Sequence, residues 1–247
     1  MTELVHLEVA DQVATITLDS EHNRNALSKQ LVTELAAHLT TADADSSAKA
    51  ILIRSAGTVF CSGADLTEAT SGGMVEGAKA IVALQRQIAT AEKPVVVELG
   101  GPVRAGGLGI VGAADIVIAA EAVTFQLTEV RLGLAAAVIS ISLIPRFTDR
   151  AAADLILTAR KFGAAEAATV GLITRAVPDG ELTSEIAAVL ADLRKAYPQG
   201  LRESKKILNR DLVARIDALG DEVAAKSAEL FGSDEAHEAM IAFLDKK

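Results

Sequence analysis

Three glycines that could contribute to a binding site lie in the stretch AGGLGIVGAADIVIAAE, residues 105–121, directly after an apolar run. Gly107, Gly109 and Gly112 formally match the G-x-G-x-x-G pattern of dinucleotide-binding folds. In those folds the glycines open a long helix, and an acidic residue follows about 20 residues later. Here the helix can only be short, because Glu121 at the end of the next apolar run follows Gly112 by 9 residues. The segment is therefore too compact to predict a nicotinamide site.

The alternative chemistry of this segment is anion stabilisation by the backbone. A glycine turn before a short helix presents unblocked N–H groups at the positive end of the helix dipole. A second stretch, SAGTVFCSGADL at 55–66, ends in small residues that permit close approach of the backbone to a ligand. Two such N–H groups converging on an apolar cleft would form an oxyanion hole. Spacing alone leaves a second reading open, in which both segments are merely tight turns.

The elements that must position these turns follow from hydrophobic periodicity. Short apolar runs predict strands, and segments of helical spacing lie between the first three of them. From about Ala135 onward the pattern is helical only. No low-complexity linker interrupts the chain, so we predict an α/β core with a helical C-terminal appendage. The predicted strands are VATITL, AILIRS, PVVVELG and DIVIAA.

Composition excludes several classes of function. The 247 residues carry a net charge of −9, with six Phe, one Tyr and no Trp, which argues against nucleic-acid binding. The single Cys61 forms no intrachain disulfide or zinc cluster and is expected to be a small buried hydrophobe. The N-terminus lacks an apolar signal region, and no apolar run approaches membrane-spanning length. We expect a cytoplasmic protein that does not bind membranes.

Motifs across nearly the whole chain resemble those of the crotonase superfamily, the enoyl-CoA hydratase/isomerase family. The resemblance implies an α/β fold, a crotonase-type spiral of ββα turns, with a C-terminal helical region. It also implies a core over residues 1–190, a helical trimerisation region over 191–247, and a homotrimer or a hexamer of paired trimers. The matching stretches are EHNRNALS, SAGTVFCSGADL, KPVVVELGGPVRAGGLGIVGAADIVIAAEAVTFQLTEVRLGL, LTARKFGAAEAATVGLITRAVP and SDEAHEAMIAFLDKK.

The resemblance also implies site residues. The backbone N–H groups of Ala64 and Gly106 would hold the thioester oxygen, and Glu129 in FQLTEV would be the acid/base. Lys205 would approach the CoA phosphates, although a solvated helix face is the alternative reading. The residues implied to bind substrate or CoA are Arg24, Ala26, Leu27, Ser62, Asp65, Leu66, Gly109, Thr128, Leu132 and Lys205.

Three departures from the family pattern bear on the chemistry. Gly109 stands where a second glutamate is expected, which places the chain in a single-glutamate subgroup and predicts an enlarged cleft. Ala136 replaces a frequent proline, so we expect a looser loop around the acyl pocket. Ala105 replaces the first glycine of a GGG turn, and we expect its φ to be negative.

Other polar residues have structural interpretations. Asp65 is expected to cap the helix that follows it, and Asp115 to be a buried, hydrogen-bonded carboxylate. His22 and His237 are expected at the surface or near CoA, without triad partners. No metal-ligand spacing is present. The segment 67–80, with Gly72 and Gly73, is predicted to be a mobile flap over the acyl group.

The function predicted from these residues is hydration of an α,β-unsaturated acyl-CoA, or the reverse dehydration, with no cofactor besides the CoA of the substrate. Two alternatives stay open at this point. One carboxylate is enough to move a proton, so the chain could be an enoyl-CoA isomerase. It could also be a non-catalytic acyl-CoA-binding protein, because Gly109 stands where one of the two expected glutamates is missing.

Overall fold

A six-stranded sheet forms the centre of the computed structural model, which describes residues 2–69 and 74–244. Its strand order is β1-β2-β3-β4-β6-β9, and a second sheet has the order β5-β7-β8. The strands of the described part are β1 Val5–Ala10, β2 Val13–Leu18, β3 Ala50–Ser55, β4 Val95–Leu99, β5 Val103–Arg104, β6 Ile116–Ala120, β7 Thr124–Gln126, β8 Phe162–Gly163 and β9 Arg175–Val177.

The large sheet is parallel except for its first hairpin. β1 and β2 are antiparallel, whereas β2 to β3, β3 to β4, β4 to β6 and β6 to β9 are parallel. Parallel strands are covered on both faces, which explains why the central strands read as continuous runs of Val, Ile and Leu. The predicted α/β class and the four predicted strands are confirmed. The purely helical reading after about Ala135 is wrong, because β8 and β9 lie there and are only two and three residues long.

Helices cover the sheet and form the C-terminal region. The first helix, α1, begins where Ser28 caps it: Ser28 Oγ accepts a hydrogen bond from Leu31 N at 3.3 Å. The helices are α1 Lys29–Ala44, α2 Leu66–Ala69, α3 Met74–Thr90, α4 Gly107–Ala113, α5 Ala137–Leu143, α6 Asp149–Thr158, α7 Ala164–Thr169, α8 Leu182–Lys195, α9 Pro198–Phe231 and α10 Asp234–Leu244.

Helix α4 passes unusually close to the segment that contains Cys61. A Cβ built on Gly107 would lie 2.7 Å from Cys61 Cβ and 3.2 Å from Val103 Cγ1, so only glycine fits there. Cys61 itself is fully buried, and burial raises the pKa of its thiol to about 12. The prediction that Cys61 is a small buried hydrophobe is confirmed.

The C-terminal helices pack directly on the core. Residue 190, the predicted domain boundary, lies inside α8, and α9 packs against α3 and α5. Ala89 and Ile141 of the core share one apolar cluster with Leu212 and Ile216 of α9. Across residues 2–69 and 74–244, no helix combines the length and the apolar character that crossing a membrane requires.

Lys205 lies in the interior of the protein. Both predictions for this residue, contact with the CoA phosphates and a solvated helix face, are therefore wrong. It is buried, and its Nζ lies 2.8 Å from Asp115 Oδ2. The same Nζ donates to the carbonyl oxygens of Ile88 and Lys93 at 2.9 and 3.0 Å. All three ammonium protons therefore have an acceptor. Lys205 attaches α9 to the core and has no donor left for a CoA phosphate.

Asp115 has the hydrogen-bonded role predicted for it. Its Oδ2 accepts from Val95 N at 2.7 Å, and its Oδ1 accepts from Asn209 Nδ2 at 2.8 Å. The carboxylate thus joins β4, the start of β6 and α9.

Candidate active site

One large cavity, of about 770 Å³, lies where the N-terminal turn of α4 meets α1, α3, α5 and the end of α9. Most of the side chains that line it are small or apolar. Among them are the predicted site residues Leu27, Ser62, Ala64, Asp65, Leu66, Gly106, Thr128, Glu129 and Leu132.

The turn that presents Ala64 is held by the segment before α1. Leu27 N donates to Gly63 O at 2.8 Å, and Ser62 N donates to Arg24 O at 3.1 Å. Gly63 has φ +97°, a conformation that side chains rarely adopt. These contacts fix the backbone on both sides of Ala64 and leave the Ala64 N–H without a partner among the described residues.

Gly106 lies next to Ala64 in the cavity wall. A Cβ built on Gly106 would lie 3.6 Å from Ala64 N, so the two backbones approach closely. The Gly106 N–H also has no acceptor within the described part of the chain. The two predicted oxyanion donors are therefore neighbours that line one cavity, and neither N–H donates a hydrogen bond within the described residues.

Ala105 has the opposite backbone conformation from the one expected. Its φ is +44°, whereas a negative value was predicted from the loss of the first glycine. The strained conformation is held by tertiary contacts: Ala105 N donates to Gln126 O at 3.0 Å. The strain aligns the next residue, Gly106, at the start of α4.

Glu129 carries the acid/base capacity of the site. It lies in a short 3-10 helix, Glu129–Leu132, and Gly133 ends that helix with φ +67°. The residue is half-buried, but its Oε2 is fully buried and has no hydrogen-bond partner among the described residues. Burial raises the pKa of this carboxyl from 4.5 to about 7, only partly offset by a backbone N–H. Such a group can accept or donate a proton near neutrality.

Gly109 does not line the cavity, and the predicted enlargement of the cleft is absent. A Cβ built on Gly109 would lie 3.1 Å from Ile139 Cγ2 and 3.2 Å from Gln85 Cδ. Gln85 and Ile139 are both buried and occupy the space that a side chain at 109 would need. A side chain at position 109 would therefore require Ile139 and Gln85 to shift.

The remaining predicted residues support the site from outside or at its edge. Arg24 and Ala26 do not line the cavity, and Arg24 acts through its carbonyl on Ser62. Asp65 caps α2 as predicted: its Oδ1 accepts from Thr67 N at 3.0 Å and Oγ1 at 2.7 Å. His22 and His237 are exposed.

The loop around Ala136 is more regular than expected. Ala136 is buried and has φ −72°, close to the value that proline would fix. A proline would fit this φ. The predicted flap hinge at Gly72 and Gly73 lies outside the described residues.

The residues that distant helices contribute to the cavity wall were not predicted from the sequence. Ile81 of α3, Val138 of α5, and Ser227 and Phe231 of α9 all line the cavity. Ser227 and Phe231 lie four residues apart, on one helix face, a spacing equally typical of core packing. Within the described residues, no cluster of three or more His, Cys, Asp or Glu is arranged to hold a metal ion.

Comparison with known proteins identifies the family and the fold. The model of the family described as enoyl-CoA hydratase/isomerase matches residues 8–247. The chain belongs to this family. An enoyl-CoA hydratase structure from Mycobacterium avium is 41% identical, with a TM-score of 0.93 over 100% of this chain and 98% of that one.

Two further relatives show the range of the family. A short-chain-enoyl-CoA hydratase from Clostridium acetobutylicum is 29% identical over 249 residues, 98% of this chain and 95% of its own. A carnitinyl-CoA hydratase structure from Mycobacterium avium is 26% identical, with a TM-score of 0.87 over 100% and 97% of the two chains. The crotonase-type fold is thus shared across relatives that act on different acyl groups.

Proposed function

We propose that the protein is an enoyl-CoA hydratase that uses a single glutamate. The observation that carries the proposal is the unpartnered, buried carboxyl of Glu129, in the same cavity as the unused N–H groups of Ala64 and Gly106. A proton-transfer group and an oxyanion site in one cavity are what enolate chemistry at a thioester requires.

The mechanism follows from these three groups. The thioester oxygen accepts hydrogen bonds from Ala64 N and Gly106 N, which stabilise the negative charge that develops there. Ionised Glu129 takes a proton from water as the water oxygen bonds to the β-carbon. The electron pair of the double bond moves into the enolate, and Glu129 then delivers the proton to the α-carbon. The backbone donors are fixed before the reaction and do not titrate, which suits this role.

The acyl group is proposed to be neutral and apolar. Lys29 is the one cationic side chain among the described residues that line the cavity, whereas Asp65, Glu68, Glu76 and Glu129 are acidic. A carboxylate on the acyl chain would meet repulsion and lose its hydration. We expect a simple enoyl-CoA to be preferred over its ω-carboxyl analogue, with no metal or further cofactor needed.

The decisive test is loss of enoyl-thioester absorbance with wild type and with Glu129→Gln. We expect the substitution to lower kcat/KM by about 10²–10⁴-fold, the usual contribution of one positioned proton-transfer group. Glu98→Gln is the matched control, because burial also raises the pKa of the Glu98 carboxyl but the residue does not line the cavity. Full turnover by Glu129→Gln would refute the single-glutamate mechanism.

Isomerisation is the second candidate, favoured by the lone carboxylate at the reacting position. Moving a double bond needs one base and no added water, so in deuterated solvent the product would take up deuterium without gaining the mass of a water molecule. Tight binding of CoA thioesters with no turnover on any substrate would instead support a non-catalytic role.

The trimeric or hexameric assembly and the cytoplasmic location stay predictions. The mass of the protein in solution tests the predicted assembly.

A further inference from the structure

Gln85 is a fully buried polar side chain on α3 that the proposed mechanism does not use. Its Oε1 accepts a hydrogen bond from Ser142 Oγ at 2.6 Å. Its Nε2 donates to the carbonyl oxygens of Val138 at 2.8 Å and Ile81 at 3.2 Å. Both amide protons are therefore engaged, and the carboxamide has no donor left for a ligand.

The Gln85 carboxamide lies directly behind the cavity wall. Ile81 and Val138 line the cavity, although they belong to different helices, α3 and α5. Gln85 is bonded to the backbone of both residues, so it joins the two helices at the wall. A buried amide is costly unless it is hydrogen-bonded, and this one is satisfied at both ends.

The same carboxamide packs against Gly109 of α4. Its Cδ lies 3.2 Å from where a Cβ of Gly109 would be. Gly109 follows the oxyanion donor Gly106 by three residues, which is about 4.5 Å along the helix axis. The Gln85 carboxamide therefore packs against the same short helix, α4, that begins at the oxyanion donor Gly106.

We propose that Gln85 is a specificity-determining residue, which closes the cavity from behind the wall formed by Ile81 and Val138 and so limits the bulk of the acyl group there. The proposal rests on the proposed function only in taking an acyl-CoA as the ligand. Gln85 fills the volume next to Gly109 and joins Ile81 to Val138 by hydrogen bonds, so the wall is closed from behind. Shortening this side chain should open space for a branch on the acyl chain.

Two saturated thioesters that differ by one methyl group test the proposal: butyryl-CoA and isovaleryl-CoA. Their dissociation constants are measured by calorimetry for wild type, Gln85→Ala and Gln85→Asn. We expect Gln85→Ala to raise the affinity for isovaleryl-CoA relative to butyryl-CoA by at least about fourfold, the value of one buried methyl group. Gln85→Asn retains the amide but is one methylene shorter, so we expect a smaller change in the same direction.

Gln87→Ala is the matched control. Gln87 is the same residue type on the same helix, but its Nε2 donates to Ala36 O and Thr40 Oγ1, both at 2.9 Å, on the side facing α1. We expect its affinity ratio to equal that of wild type. Thermal unfolding shows whether each variant is folded. If Gln85→Ala does not fold, Gln85→Asn still tests the proposal.

The outcomes separate the two proposals. An unchanged ratio in folded Gln85 variants, or an equal shift in Gln87→Ala, would overturn the role of Gln85. Because saturated thioesters bind without reacting, a shift in the ratio supports that role even if no hydration is observed. Failure of wild type to bind either thioester would overturn both the role of Gln85 and the proposed function.

Discussion

At the scale of single residues, the Glu129 carboxyl determines how the protein responds to pH. Its pKa of about 7 comes from burial without a partner, since Oε2 contacts no donor in the described chain. The ionised form is the one that takes a proton from water. We therefore expect kcat/KM to rise with pH and to reach half its plateau near pH 7 in the free enzyme. A flat profile between pH 5 and 9 would contradict Glu129 as the base.

The same group makes a prediction about stability. A carboxyl whose pKa is higher in the folded than in the unfolded chain stabilises fully below pH 4.5, and this stability is lost as the pH rises through about 7. A rise from 4.5 to about 7 corresponds to roughly 3 kcal/mol. We expect wild type to lose that much unfolding free energy relative to Glu129→Gln between pH 4.5 and 8. Urea titrations of the two proteins measure the difference, in which the contributions of other groups cancel.

At the scale of elements, the glycines of α4 permit close packing and are not there to bind a nucleotide. We expect Gly107→Ala to lower the free energy of unfolding by about 1–3 kcal/mol, because its Cβ would meet Cys61 Cβ at 2.7 Å inside a packed core. Gly200→Ala is the matched control on α9, where an added Cβ has no neighbour within 4 Å. Denaturant melts should show that control unchanged or slightly stabilised. Equal values for the two variants would contradict the packing argument.

The elements also show what the sequence could predict and why. Strands β2, β3, β4 and β6 are buried on both faces, so their apolar runs stand out, and the short length of α4 follows from the closeness of Glu121 to Gly112. Strands β8 and β9 escaped prediction because two or three residues carry no period. The positive φ of Ala105 and the closure of Gly109 by Gln85 depend on contacts between distant segments, which local patterns do not contain.

At the scale of the whole molecule, Lys205 connects the C-terminal helices to the sheet. Removing one partner of a buried ion pair leaves the other uncompensated, so we expect Lys205→Met to cost about 3–5 kcal/mol of unfolding free energy. The exposed neighbour Lys206, paired with Glu203, is the control, and Lys206→Met should change stability by less than about 1 kcal/mol. Calorimetric melts measure both, and CoA affinity should be the same in the two variants if Lys205 contacts no phosphate.

The sequence does not predict this role of Lys205, although it does predict that Asp115 is a structural carboxylate. Asp115 was recognised as a structural carboxylate, but its partner lies 90 residues further along the chain. Exposure of a lysine on a mostly polar helix is the usual outcome, and only the tertiary arrangement reverses it.

The length of α9 has a mechanical consequence. Its 34 residues form a rod of about 51 Å, with Lys205 fixed near one end and Phe231, at the other, lining the cavity. A hydrogen-bonded helix resists compression far more than the loops around it do. The Lys205 anchor and the Phe231 wall are therefore parts of one continuous element, and the position of α9 on α3 and α5 also sets the position of that wall.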